Sequence, residues 1–101
     1  MATDKNFITF VCEQLEGLPF PIRSKNMFGE YCIWINNKPI MLVCDNTIYL
    51  KKIDSLNSYD LPCGVPYPGS KEHFIISPDD KKLLHEAIVK VEKETTIKAK
   101  R

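Results

Sequence analysis

No apolar run in this chain approaches the ~20 residues a helix needs to cross a bilayer, so no membrane span is expected. The opening residues Met1 to Asn6 lack the basic-then-apolar layout of a secretion signal. A cytoplasmic protein is the expectation. No C-x-x-C pair exists among Cys12, Cys32, Cys44 and Cys63, which removes zinc-ribbon and thioredoxin-like chemistry. In a reducing compartment the four thiols read as small buried hydrophobes. Charge of one sign is not in excess either. Fourteen basic against thirteen acidic side chains leave a net charge of +1, so the chain as a whole does not attract nucleic acid or anionic membrane.

Internal repeats, low-complexity tracts and linkers are also missing. At 101 residues and 44% hydrophobic content, the chain fits one globular domain with one modest core.

The informative stretch runs from Ile22 to Lys52. Met27-Phe28, Tyr31 to Ile35, Ile40 to Cys44 and Thr47 to Leu50 are apolar runs separated by Gly29-Glu30, Asn36-Asn37-Lys38 and Asp45-Asn46. That rhythm predicts an antiparallel meander, with Gly29 allowing a tight turn. Strand alternation sends Tyr31, Ile33 and Ile35 one way and Cys32 and Trp34 the other. It likewise separates Ile40, Leu42 and Cys44 from Met41 and Val43. Polar residues are absent from alternate positions of the two middle runs, so both faces of those strands call for burial.

Helices flank the meander. Thr3 or Asp4 can cap a first helix with Phe7, Phe10, Val11, Leu15 and Leu18 as its stripe, ended by Gly17 and Pro19. After an irregular Ile53 to Ser70 segment, where Pro62-Cys63-Gly64 and Pro66 to Gly69 read as turns, His73 to Ile76 reads as a fifth strand. A short helical turn is indicated near Ser55 to Tyr59. Ser77-Pro78-Asp79-Asp80 then reads as a helix start with Ser77 as its cap, followed by Leu83, Leu84, Ala87, Ile88 and Val91 on one face. The fold class is α+β: a two-layer domain over residues 1–101, ordered from about 4 to 95, with a basic tail. Two helices either divide between the faces or leave one face for another molecule, and the second arrangement is the expectation.

Arg23 to Tyr31, with its Met27-Phe28-Gly29-Glu30-Tyr31 core, followed by Ile33, Trp34 and Ile48-Tyr49-Leu50-Lys51, resembles the N-terminal domain of the TfoX/Sxy family. The sequence departs from that pattern at Glu30 and Cys32, where glycines are usual, which marks a divergent, stand-alone version. The resemblance implies a secretion-chaperone-like α+β fold that pairs into dimers. It also implies a non-enzymatic role in bacterial transcription regulation and competence, beside a cyclic-AMP-responsive activator. No cofactor or metal is implied.

The residues themselves offer two candidate surfaces. Trp34, Met41 and Val43, with Met27, Phe28 and Tyr31 beside them, are the expected contact surface for a protein partner or a second copy. Arg23, Lys25, Lys51 and Lys52, with Lys38 nearby, are the expected contact for nucleic acid or an acidic partner, weighed against a solvated strand edge. Around Cys63, Tyr67 and His73 a small-molecule or enzymatic role is the remaining alternative. His73 and His85 have no partner at a spacing that builds a triad or metal site. No catalytic residue is assigned.

Overall fold

The computed structural model describes residues 3–27 and 30–95. Helix α1 (Lys5–Gln14) leads into strands β1 (Ile22–Met27), β2 (Glu30–Ile35), β3 (Lys38–Cys44) and β4 (Thr47–Leu50). A 3-10 turn (Asp54–Tyr59), β5 (Cys63–Gly64), β6 (His73–Ile76) and α2 (Lys81–Glu94) complete the chain. The six strands form one antiparallel sheet in the order β1-β2-β3-β4-β6-β5, flanked by the N-terminal and C-terminal helices. This is the α+β arrangement expected from the sequence.

The hairpin turns follow from their asparagines. Asn36 and Asn37 both have positive φ (53° and 65°), as do Asp45 and Asn46 (51° and 57°). Two successive left-handed residues make the turn whose twist matches the strands it joins, and Asn and Asp tolerate that conformation better than other side chains. Pro39 has a different effect. Lacking an N–H, it interrupts the β2–β3 ladder, and pairing slips from Ile33↔Met41 to Trp34↔Pro39 with Ile40 left as a bulge.

Register assigns the faces. Ile33 pairs with Met41, Met41 with Leu50, Val43 with Ile48, and Ile48 and Leu50 with Ile76 and Phe74. All of these are buried, at 0 to 4% exposure, against Ile8, Val11 and Leu15 of the α1 segment and Leu84, Ala87, Ile88 and Val91 of α2. Both helices therefore pack on the same face of the sheet. Cys32, Trp34, Leu42, Tyr49, Ile75 and the β1 residues Arg23 and Lys25 point to the other face.

Several boundaries differ from the sequence reading. Strand β1 begins at Ile22, because an edge strand can expose Arg23 to Met27 and loses the apolar alternation that marks a strand. Pro62-Cys63-Gly64 is not a turn. Cys63 and Gly64 pair with Phe74 and His73, and Pro62 needs no N–H at the strand's start, where its carbonyl accepts from Ile75 N at 2.8 Å. In α1 the buried stripe is Ile8, Val11 and Leu15, while Phe10 remains 36% exposed. For α2 the cap is Asp80, whose side chain accepts from Leu83 N, and Ser77 Oγ instead accepts from Asp79 N. Gly29 and Phe28, and the tail beyond Thr95, lie outside the described residues.

Polar ties fix the helices to the sheet. Thr3 Oγ1 donates to Glu30 Oε1 at 3.0 Å, and Asp4 N donates to Asn46 Oδ1 at 2.9 Å. At the other end Lys38 Nζ meets Glu92 Oε2 at 2.8 Å and also donates to Glu92 O, while Asn36 Nδ2 donates to the same carboxylate.

The Lys38 ammonium, joined by the Asn36 amide, holds the Glu92 carboxyl below its ordinary value. Because the folded state binds this proton more weakly than the unfolded chain does, the contribution is present above the unfolded value and lost as pH falls through the folded one. Glu92→Gln should therefore flatten the acid limb of the stability curve, read by urea unfolding between neutral and acid pH. It should cost on the order of 1–3 kcal/mol at neutral pH. An unchanged acid limb contradicts this role. At the β2–β3 turn, Asn37→Val should destabilise by about 1–2 kcal/mol, whereas Asn37→Gly should not, in the same unfolding assay.

Candidate binding surface on the open sheet face

The face away from the helices has an apolar floor and a basic frame. Leu42, Trp34, Tyr49 and Ile75 stand half-buried on it, and Met27 is 44% exposed at its β1 margin. Cys32 and Cys44 are buried there although no helix covers them. Part of the cover of Cys44 comes from the segment between β5 and β6. Pro66 and Tyr67 reach Met27, Leu42 and Cys44 and enclose a hollow of about 260 Å³ with them. The segment can cross the sheet closely because it leaves from Gly64, where a Cβ would come within 2.9 Å of Ile75 Cδ1. A proline-rich stretch that reads as plain turn chemistry thus acts as a strap over the second face.

Trp34 is half-buried, with the Arg23 guanidinium 5.6 Å from its ring centroid. Arg23 faces it directly across the β1–β2 ladder, so the cation–π contact follows from register. Burial pushes the Cys32 thiol up, and a hydrogen bond with Trp34 partly offsets this. Lys25, opposite Cys32, extends the basic margin.

At the far end of β4 a cleft of about 450 Å³ opens between β3 and the returning strap. Its walls include Cys32, Leu42, Lys51, Lys52, Lys71 and His73. Lys52 Nζ lies 2.9 Å from Glu72 Oε1, and this hydrogen bond raises the Lys52 ammonium above its ordinary value. Among the described residues Lys51 and Lys71 have no carboxylate within ion-pair distance. His73 Nδ1 lies 2.7 Å from Lys71 O, so that nitrogen carries the proton, and the ring meets Tyr49 edge-on.

The candidate residues thus separate. Trp34, Met27, Arg23, Lys25, Lys51 and Lys52 belong to the open face or its rim. Met41 and Val43 do not: at 1% and 0% exposure they lie beneath the helices, because their register partners Ile33 and Ile48 point inward. Tyr31 is half-buried and pairs with Val43, which turns it to the helix side. Phe28 is outside the described residues. Lys38 leaves the basic group for Glu92. The sequence reading missed Lys71, whose neighbours Gly69 to Glu72 gave no strand or helix signal. His85 donates from Nε2 to Gln14 O at 2.7 Å, a structural bond between the helices. Among the described residues no group of three or more His, Cys, Asp and Glu side chains is placed to hold a metal ion, and no helix is long and apolar enough to cross a membrane.

No family model matches the chain. It is similar to a protein of Spirochaeta aurantia described as an uncharacterized 12.7 kDa protein in the trpE 5' region. The two are 35% identical over 77 residues, which take in 74% of this chain and 66% of that protein.

The cysteines do not behave alike. Cys32 and Cys44 are buried and Cys12 is half-buried, all three thiols pushed up by burial, whereas Cys63 on the edge strand is exposed. One thiol per chain should react rapidly with Ellman's reagent, the other three at least tenfold slower, and Cys63→Ser should abolish the fast phase. A fast reaction at Cys32 or Cys44 would show that the second face is not shielded.

Proposed function

We propose that this chain is a non-enzymatic protein-interaction module and that its open sheet face docks an acidic, amphipathic segment of a partner protein. One observation carries the reading: charge is segregated. Arg23, Lys25, Lys51, Lys52 and Lys71 gather on or around the uncovered face in a chain whose net charge is +1. Of the carboxylates near it, Glu30 is engaged by Thr3 Oγ1 and the Asp45 N–H, and Glu72 by Lys52. Apolar side chains inside a basic frame suit a segment that alternates acids with large hydrophobes, and such complementarity governs encounter rate and specificity. Trp34 is the natural anchor of this surface.

The resemblance to the TfoX/Sxy N-terminal domain supplies a setting: a co-regulator of transcription working in a bacterial cytoplasm. Face-to-face pairing of two copies is the less favoured occupant, since it would set one basic frame against another. Pairing through other surfaces remains compatible with the family resemblance. Single-stranded nucleic acid is the second reading, favoured by the Arg23–Trp34 cation–π pair and opposed by the balanced charge of the whole.

The chain's single tryptophan reports directly on this surface. Titrating a Glu/Leu-rich amphipathic peptide at low salt should change Trp34 fluorescence. The double substitution Arg23→Glu with Lys25→Glu should weaken binding at least tenfold. No response to the peptide overturns the reading. Tighter binding of a twenty-nucleotide single strand, falling steeply with salt, would replace it with the nucleic-acid reading.

A further inference from the structure

We infer that the cleft at the end of β4 is a separate binding site for a small amphiphilic anion. A carboxylate or phosphate head would seat between Lys51 and Lys71, and an apolar body would lie along Leu42 and Cys32. The cleft shares Lys51, Lys52 and Lys71 with the basic frame of the docking reading but not Arg23, Lys25 or Trp34, so the two can be tested apart.

Three features support it. The first is size: about 450 Å³ falls within the ~300–1,000 Å³ typical of small-molecule sites. The second is charge. Three lysines against Glu72 leave two positive charges, and Glu72 is already committed to Lys52 at 2.9 Å. Lys51 and Lys71 are the cations left to meet a ligand.

The third feature is a fixed backbone. Lys71 O accepts both Ser70 Oγ (3.0 Å) and His73 Nδ1 (2.7 Å), and Ser70 N donates to Tyr67 O at 3.0 Å. The Lys52–Glu72 pair joins this turn to the end of β4, and the Lys52 ammonium also lies 5.3 Å from the Phe74 ring centroid. On the opposite wall the Pro39–Ile40 bulge breaks the ladder beside the cleft, a common device next to binding sites. A charged head thus meets a site already arranged, which lowers the ordering cost of binding. The walls are otherwise mainly apolar, so a head group alone would leave the Leu42–Cys32 floor unused.

Four probes separate the contributions: octyl phosphate, octanoate, octanol and inorganic phosphate, each titrated by calorimetry and by ¹H–¹⁵N NMR. The first two should bind and shift the Leu42, Lys51 and Lys71 amides. Octanol and inorganic phosphate should bind at least tenfold more weakly. Lys51→Gln with Lys71→Gln, both exposed side chains, should cost tenfold or more in octyl phosphate affinity. Arg23→Glu with Lys25→Glu should leave that affinity unchanged. Comparing octyl phosphate with octanoate tells which head group the lysines prefer. Equal affinity for inorganic phosphate would reduce the cleft to a bare anion site and overturn the proposal. Equal affinity for octanol, or amide shifts confined to other regions, would overturn it too.

Discussion

The two helices share one face of the sheet, and the rest of the structure follows from that. Val11, Leu15, Leu84, Ala87, Ile88 and Val91 are wholly buried against Ile33, Met41, Val43, Ile48 and Leu50. Successive strand residues point to opposite faces, so each inward residue commits its neighbour to the far side. Met41 and Val43 are taken by the core, and Leu42 is left between them facing away. The same rule leaves Trp34 on the open face between Ile33 and Ile35. A sheet that is apolar at both positions, with helices on one side only, has a second face to cover by other means.

The chain covers part of it. Pro66 and Tyr67 strap the Met27–Cys44 end, and Arg23 lies over Trp34. What stays open is narrower than a bare sheet, and its composition is mixed. Lysines and an arginine surround half-buried hydrophobes, and the strap's return adds Lys71 and Glu72. Basic side chains at a sheet margin also discourage edge-to-edge pairing. The chain is also tied at its ends by Thr3–Glu30 and Lys38–Glu92.

Much of this was legible in the sequence because local signals and tertiary demands agreed. The Asn36-Asn37 and Asp45-Asn46 turns, the Tyr31–Ile35 and Ile40–Cys44 strands and the Leu84–Val91 stripe all sit where their residue types predict. The doubled apolar pattern also pointed to a face beyond the helices' reach. Which residues occupied that face was harder. Met41, Val43 and Trp34 look equally apolar in sequence, and only the register separates them. Most of strand β1, before Met27, was hidden because an edge strand exposes its polar side chains, and β5 because a two-residue strand carries no period. The strap was illegible for a further reason: prolines and glycine specify turns but not the surface those turns fold over. Lys71 reaches the site through that segment, so it was missed along with it.

The most direct measurement is solvent paramagnetic relaxation by NMR, using a neutral gadolinium chelate with the full chain. The Trp34 indole, the Leu42 methyls and the Met27 methyl should relax strongly. The Met41 methyl and the Val43 and Ile48 methyls should be nearly untouched. Protection of the Trp34 indole equal to that of the Val43 methyls would mean that the second face is covered, and the account of the open surface would fail.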